Sequence, residues 1–275
     1  MVGETQPHVM AYPAAVNGVL TRVLEAGAGA PVLFLHGVGS RADRWQRNFD
    51  IIREGYRCFA IDLPGHGFAQ KGSSFPYGAQ GYADFVEGFL DDQKLGKVAL
   101  VGSSLGGHVA GLIACRSPQR IRSLVLVGAT GMFPLSAELA SGIADRIKDL
   151  TRDGIQLKLK NLVFDDSILT DAWLAEEYAI NNSPGAQAAF EKLSGYFRDR
   201  INGDVIGERL ANATQKIPTT LIWGKQDRSV PLDVGLRTQL LLGGVPMHVI
   251  EATAHAPYFE RPDVFRQHLS KALKD

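Results

Sequence analysis

The stretch Lys97-Val98-Ala99-Leu100-Val101-Gly102-Ser103-Ser104-Leu105-Gly106-Gly107-His108 decides the fold. Its apolar, β-branched first half reads as a buried strand. The strand runs into Gly102-x-Ser104-x-Gly106, and residues 109–114 continue with helical spacing. Strand, tight turn and helix in that order make a nucleophile elbow. Gly102 and Gly106 remove side chains where strand and helix nearly collide, and the turn pushes Ser104 Oγ out at the sheet's C-terminal edge. The helix N-terminus adds free N–H groups and a partial positive charge. A Gly/Ser-rich turn is also a common turn, so the rest of the chain has to carry the reading.

Working outward, short apolar runs alternate with helical patterns. Residues 31–35, 56–61, 98–102 and 121–127 read as strands, and residues 18–26 as an earlier antiparallel one. Residues 43–52 read as a helix with Trp45, Phe49 and Ile52 on one face. Residues 82–95 read as another, with Phe85, Phe89 and Leu90 inward. This alternation predicts an α/β fold, a mostly parallel central sheet flanked by helices. From residue 132 the strands stop. Helical spacing marks 139–150, 169–180, 186–196 and 204–213, and the strand rhythm resumes at Pro218. The expected organisation is a core of residues 1–131 and 214–275, with a helical cap of residues 132–213 inserted in it. Strands at 218–224 and 245–250 and helices at 233–242 and 259–273 complete the core.

Bulk properties exclude several classes. The 275 residues carry 29 basic and 29 acidic side chains with no basic block, which argues against nucleic acid or an anionic membrane as partner. Residues 1–13 lack a signal-peptide pattern and no apolar run reaches spanning length. Cys58 and Cys115, in strand-like and helix-like runs, read as packed thiols in a cytoplasmic protein. No metal-ligand cluster and no cofactor motif is visible. Oligomeric state is not legible.

In an open parallel sheet, ligands bind beyond the carboxyl ends of the strands. Four strand-end loops carry reactive groups: Gly37-Val38, Ser104, Asp227 and His255. A serine hydroxyl needs a base, imidazole has a suitable pKa, and the imidazole needs a carboxylate to fix its tautomer. Ser104 is thus the expected nucleophile, His255 the base and Asp227 its orienting group. The backbone N–H groups of Val38 and Leu105 are the expected oxyanion donors. Gly37, Ser103, His108 and Ala256 are candidate pocket residues. His36, His66 and Asp62 lie in Gly- or Pro-rich turns and read as structural.

Together, His36-Gly37, Asp62-Leu63-Pro64-Gly65-His66-Gly67, Gly102-Ser103-Ser104-Leu105-Gly106-Gly107, Trp223-Gly224-Lys225-Gln226-Asp227 and Ala254-His255-Ala256-Pro257 resemble the α/β-hydrolase superfamily over nearly the whole chain. Phe164-Asp165-Asp166-Ser167-Ile168-Leu169-Thr170-Asp171 resembles the cap of meta-cleavage-product hydrolases, which cut C–C bonds in dienoates. That resemblance implies an Arg in the following helix where this chain has Glu177, a Trp after the catalytic His where it has Ala256, and an Asn before the nucleophile where it has Ser103. The Arg would bind a carboxylate and Glu177 would repel one. The expected activity is therefore hydrolysis of a small, uncharged, hydrophobic carboxylic ester or lactone through an acyl-enzyme on Ser104. The alternatives are C–C hydrolysis, using a cation such as Arg198, Arg200, Arg228 or Lys225, and a small-molecule receptor that retains the triad.

Overall fold

The computed structural model describes residues 8–274, apart from the side chains of Ile52 and Arg53. The expected inward place of Ile52, and the reading of residues 1–7, lie outside the described residues. Eight strands form one sheet: β1 (Met10–Val16), β2 (Val19–Gly27), β3 (Ala30–Leu35), β4 (Tyr56–Ile61), β5 (Val98–Ser103), β6 (Ile121–Val127), β7 (Thr219–Gly224) and β8 (Met247–Ile250). Their order is β1-β2-β4-β3-β5-β6-β7-β8. The β1–β2 and β2–β4 pairs are antiparallel and all others parallel. The α/β-hydrolase fold is thus observed, with helices on both faces.

The helices are α1 (Ala79–Asp92), α2 (Leu105–Arg116), α3 (Ala137–Lys148), α4 (Arg152–Leu162), α5 (Asp171–Asn181), α6 (Ala186–Asp199), α7 (Gly207–Ala213), α8 (Leu232–Leu241), α9 (Pro257–Glu260) and α10 (Pro262–Lys274). Successive strand residues face opposite sides. On β3, Leu33 and Leu35 therefore pack under Phe85, Phe89 and Val109, while Val32 and Phe34 pack against Trp45, Phe49 and Phe265. Each such buried side chain contributes about 1.5–3 kcal/mol. These two layers clamp the sheet and fix where its strands end.

Four elements differ from expectation. Residues Ala42–Glu54 form 3-10 turns instead of an α-helix. β1 was not expected, because Pro13 interrupts its run; it is an edge strand, where a missing N–H is tolerated. Its turn to β2 is Asn17-Gly18, with φ of 50° and 78°, a hairpin signal present in the sequence. α4, not expected from the sequence, starts directly after Thr151, whose side chain accepts from Gly154 N–H. The last helix is interrupted at Arg261, before Pro262. Between β6 and β7, among the described residues, the regular elements are helices, α3 to α7, and short 3-10 turns. Among the described residues no helix is long and apolar enough to cross a membrane.

Candidate active site

Parallel pairing aligns Leu35 with Gly102, Ser103 with Val127 and Gly224 with Ile250. The loops after β3, β5, β6, β7 and β8 therefore emerge along one edge. Ser104, between β5 and α2, has φ 54° and ψ −118°, a conformation disfavoured for a residue with a side chain. It is held by hydrogen bonds on both sides. Ser104 N–H donates to Val127 O at 2.9 Å, and Ser104 O accepts from His108 N–H at 3.0 Å. Close packing explains the glycines: a Cβ at Gly102 would lie 2.3 Å from Gly106 O, and one at Gly106 2.3 Å from Leu35 O.

His255 Nδ1 donates to Asp227 Oδ2 at 2.7 Å. Asp227 Oδ1 accepts from the N–H groups of Ser229 (2.8 Å) and Val230 (2.9 Å). With both carboxylate oxygens engaged, Asp227 fixes the imidazole with its proton on Nδ1, which leaves Nε2 as the acceptor nitrogen. Ser104 and His255 line the same cavity, of about 440 Å³. Gly37 and Gly128 make room for them. A Cβ on Gly37 would sit 2.9 Å from Ser104 Cβ, and one on Gly128 3.0 Å from His255 Nδ1.

Val38 also lines this cavity. Leu105 is fully buried at the first position of α2. Among the described residues neither its N–H nor that of Val38 meets an acceptor. Buried N–H groups are normally paired, so the arrangement is suited to an oxyanion.

Other expectations divide. Gly37 and Ser103 line the cavity. His108 does not: it is fully buried, and its Nε2 donates to Asp204 O at 2.7 Å, tying α2 to the chain before α7. Ala256 does not either; it is buried against the sheet and its N–H donates to Leu162 O at 3.1 Å. His36 and His66 are structural. His36 Nε2 accepts from Leu63 N–H at 2.9 Å and its Nδ1 donates to Gly37 O at 2.8 Å, bracing the loop after β3. Burial lowers their pKa values to about 4 and about 3. Asp62 accepts from Ala42 N–H, Phe68 N–H and Arg22.

Of the cations considered from sequence, Arg228 reaches the cavity rim. Arg198 pairs with Asp145, Arg200 donates to Tyr77 O and Lys225 pairs with Glu251. Three others line the cavity: Arg44, Arg146 and Lys158. The sequence does hold a signal for Arg44, since Arg41-x-x-Arg44 directly follows the Gly37–Ser40 loop.

Glu177 faces the cavity and is buried. Its expected role is corrected, because it is not a bare negative charge. Oε1 accepts from Arg41 Nη1, from Arg44 Nη2 and from Trp173 Nε1, the last at 3.1 Å. A carboxylate entering the cavity meets an ion-paired group. Among the described residues no cluster of three His, Cys, Asp or Glu is placed to hold a metal.

A sequence profile of the alpha/beta hydrolase family matches residues 32–268. The chain is 30% identical over 249 residues to 2-hydroxy-6-oxo-2,4-heptadienoate hydrolase of Pseudomonas putida, covering 87% of each chain. It is 30% identical over 246 residues to the 2-hydroxy-6-oxononadienedioate/2-hydroxy-6-oxononatrienedioate hydrolase of Escherichia coli K12, covering 86% of this chain and 84% of the relative. Among solved structures, a meta-cleavage product hydrolase from Pseudomonas fluorescens IP01 superposes with a TM-score of 0.86 at 26% identity, covering 96% and 97% of the two chains. Relatives named for dienoate hydrolysis overturn the expected preference for an ester or lactone, which rested on Glu177 repelling a carboxylate. The profile spans the sheet from β3 onward and all the strand-end loops; the chain is a hydrolase and belongs to the alpha/beta hydrolase family.

Proposed function

We propose that the chain hydrolyses a C–C bond beside the ketone of a 2-hydroxy-6-oxo-dienoate, with Ser104, His255 and Asp227 as its triad. The observation that carries this reading is the pairing of Glu177 with Arg41 and Arg44. It removes the repulsion that had spoken against an anionic substrate in a chain so similar to dienoate hydrolases. Helices α3 to α7 act in this reading as a cap, supplying apolar walls from Ile147, Ile155, Leu159 and Phe190 that suit an alkyl or aryl group on the ketone.

The chemistry follows from the groups present. In the 2-keto tautomer, reached when the C2 hydroxyl proton ends on C5, Ser104 Oγ attacks the C6 ketone and its proton passes to His255 Nε2. The resulting oxyanion is met by the N–H groups of Val38 and Leu105, each worth about 3 kcal/mol to a transition state. Collapse breaks C5–C6. The electron pair is delocalised over C3–C5 onto the C2 oxygen, which takes the proton back and leaves as a 2-hydroxydienoate. Water, deprotonated by His255, then releases the acyl group from Ser104 as a carboxylic acid. One water is consumed overall. The free thiols Cys58 and Cys115 are in keeping with a cytoplasmic setting.

The test is turnover of 2-hydroxy-6-oxohepta-2,4-dienoate, followed by loss of its absorbance and recovery of acetate. Stoichiometric acetate is expected. No turnover under conditions in which the Pseudomonas putida relative consumes the substrate would refute the reading.

A further inference from the structure

We propose that Arg44 is the specificity-determining cation that receives the substrate's carboxylate, and that Glu177 is its counter-ion, so that the anion site is supplied from the core wall instead of from the cap helix. This rests on the dienoate reading above. The resemblance noted in the sequence puts an Arg where α5 carries Glu177. The charge at that point is inverted here, yet the cavity is not left without a cation.

Among the cavity's arginines, Arg44 is the deeply placed one. Its side chain is 11% exposed, whereas Arg146 and Arg228 are exposed at the rim. Lys158 already donates to the carbonyls of Ile147 (3.1 Å) and Asp149 (2.5 Å), and burial lowers its pKa to about 8. Arg44 is held from three sides. Nη2 pairs with Glu177, and its guanidinium carbon lies 4.5 Å from the Trp173 ring centre and 5.2 Å from that of Phe259. Among the described residues its Nε and Nη1 meet no acceptor. A guanidinium clamped on one nitrogen with donors left over is prepared for a second carboxylate.

Glu177 has the complementary part. It sits between Arg41 and Arg44, and Arg41 is further engaged by Asp43 at 2.8 Å and Glu176 at 2.6 Å. Arg41 is thus saturated with acids and braces the pair, while Arg44 shares one acid and faces the cavity. Glu177 offsets the cost of burying Arg44 in the empty site, and it also competes with the incoming carboxylate for it.

The experiment compares calorimetric binding of 2-hydroxy-6-oxohepta-2,4-dienoate and of its methyl ester on the Ser104→Ala background, where no turnover intervenes. The acid is expected to bind about tenfold or more tightly than the ester, the range of a charge-assisted hydrogen bond. Adding Arg44→Met should bring the ratio near one, and Lys158→Met should leave it in place. An unchanged ratio in Arg44→Met, or a collapse in Lys158→Met alone, overturns the proposal. Should Arg44→Met fail to fold, Glu177→Gln keeps both arginines and should raise the ratio severalfold; no rise refutes the idea. Binding and turnover are read separately. Absent turnover by the wild type refutes the dienoate reading, while the acid-to-ester ratio judges Arg44.

Discussion

Glycines do opposite work in the two walls of the cavity. Beneath the strand-end loops, a Cβ at Gly102 would press to 2.3 Å from Gly106 O. In the helices above, Gly195 of α6 has nothing within 4 Å of where its Cβ would be, and at Gly142 of α3 the nearest atom is the far end of Arg146 at 3.7 Å. The lower wall is a set of backbone close approaches that fix the elbow. The upper wall is built by amphipathic helices, and at Gly142 and Gly195 glycine only weakens the helix. The proposed triad sits on the wall made of these close approaches. The two walls meet in the ion-paired cluster of Glu177 of α5 with Arg41 and Arg44 of the turns after β3, where the proposed selectivity would reside.

That contrast can be broken in four ways, the largest effect first. Ser104→Ala should lower turnover by about 10⁴-fold or more while the melting temperature stays close to wild type. Retained turnover would remove the nucleophile assignment and leave the lower wall without its central group. Gly102→Ala should destabilise the protein by about 3 kcal/mol, seen as a lower urea midpoint with unchanged m-value. A neutral result would show that the strand-helix approach can relax.

The third test concerns the loop supports. His36 and His66 have pKa values lowered in the fold by burial, to about 4 and about 3. The unfolded chain therefore binds more protons below the ordinary histidine value of about 6.5. Their contribution is complete above that value and is lost as pH falls from about 6.5 through 4. At pH 5 the loss for His36 alone is about 2 kcal/mol. Urea unfolding at pH 7 and pH 5 measures it, and equal stability would mean that these rings accept a proton in place. Asp43, whose carboxyl is held below its usual value by Arg22 and Arg41 against the opposing effect of burial, loses its contribution only at lower pH. The smallest effect is expected in the upper wall: Gly195→Ala should stabilise α6 by about 0.5–1 kcal/mol, a rise of a few degrees in melting temperature. Destabilisation there would mean that α6 is packed as tightly as the strand-end wall.

Most of the lower wall could be read locally. Strands β3 to β6 are apolar runs bounded by turn residues, and the reactive groups follow strands in the order Ser104, Asp227, His255. The errors have physical reasons. β1 contains Pro13 and small alanines, so its strand character comes from pairing with β2 and little from its own pattern. His108 and Ala256 are close in sequence to proposed catalytic residues, but a helix turns His108 toward Asp204 and the Ala256 backbone bonds Leu162. Proximity along the chain gave the neighbourhood and not the direction.

The sequence by itself determined the α/β alternation, the elbow and the three strand-end groups, because periodicity and glycine placement are local properties of a chain. Only the tertiary structure decided the sign of the pocket. Glu177 lies 133 residues from Arg44 and 136 from Arg41, yet all three meet in one ion-paired cluster. Long side chains on separately packed elements find partners according to how those elements dock, and no local pattern records that. Read alone, Glu177 is a negative charge that would turn an anion away; in the fold it is the counter-ion of the arginine proposed to receive one.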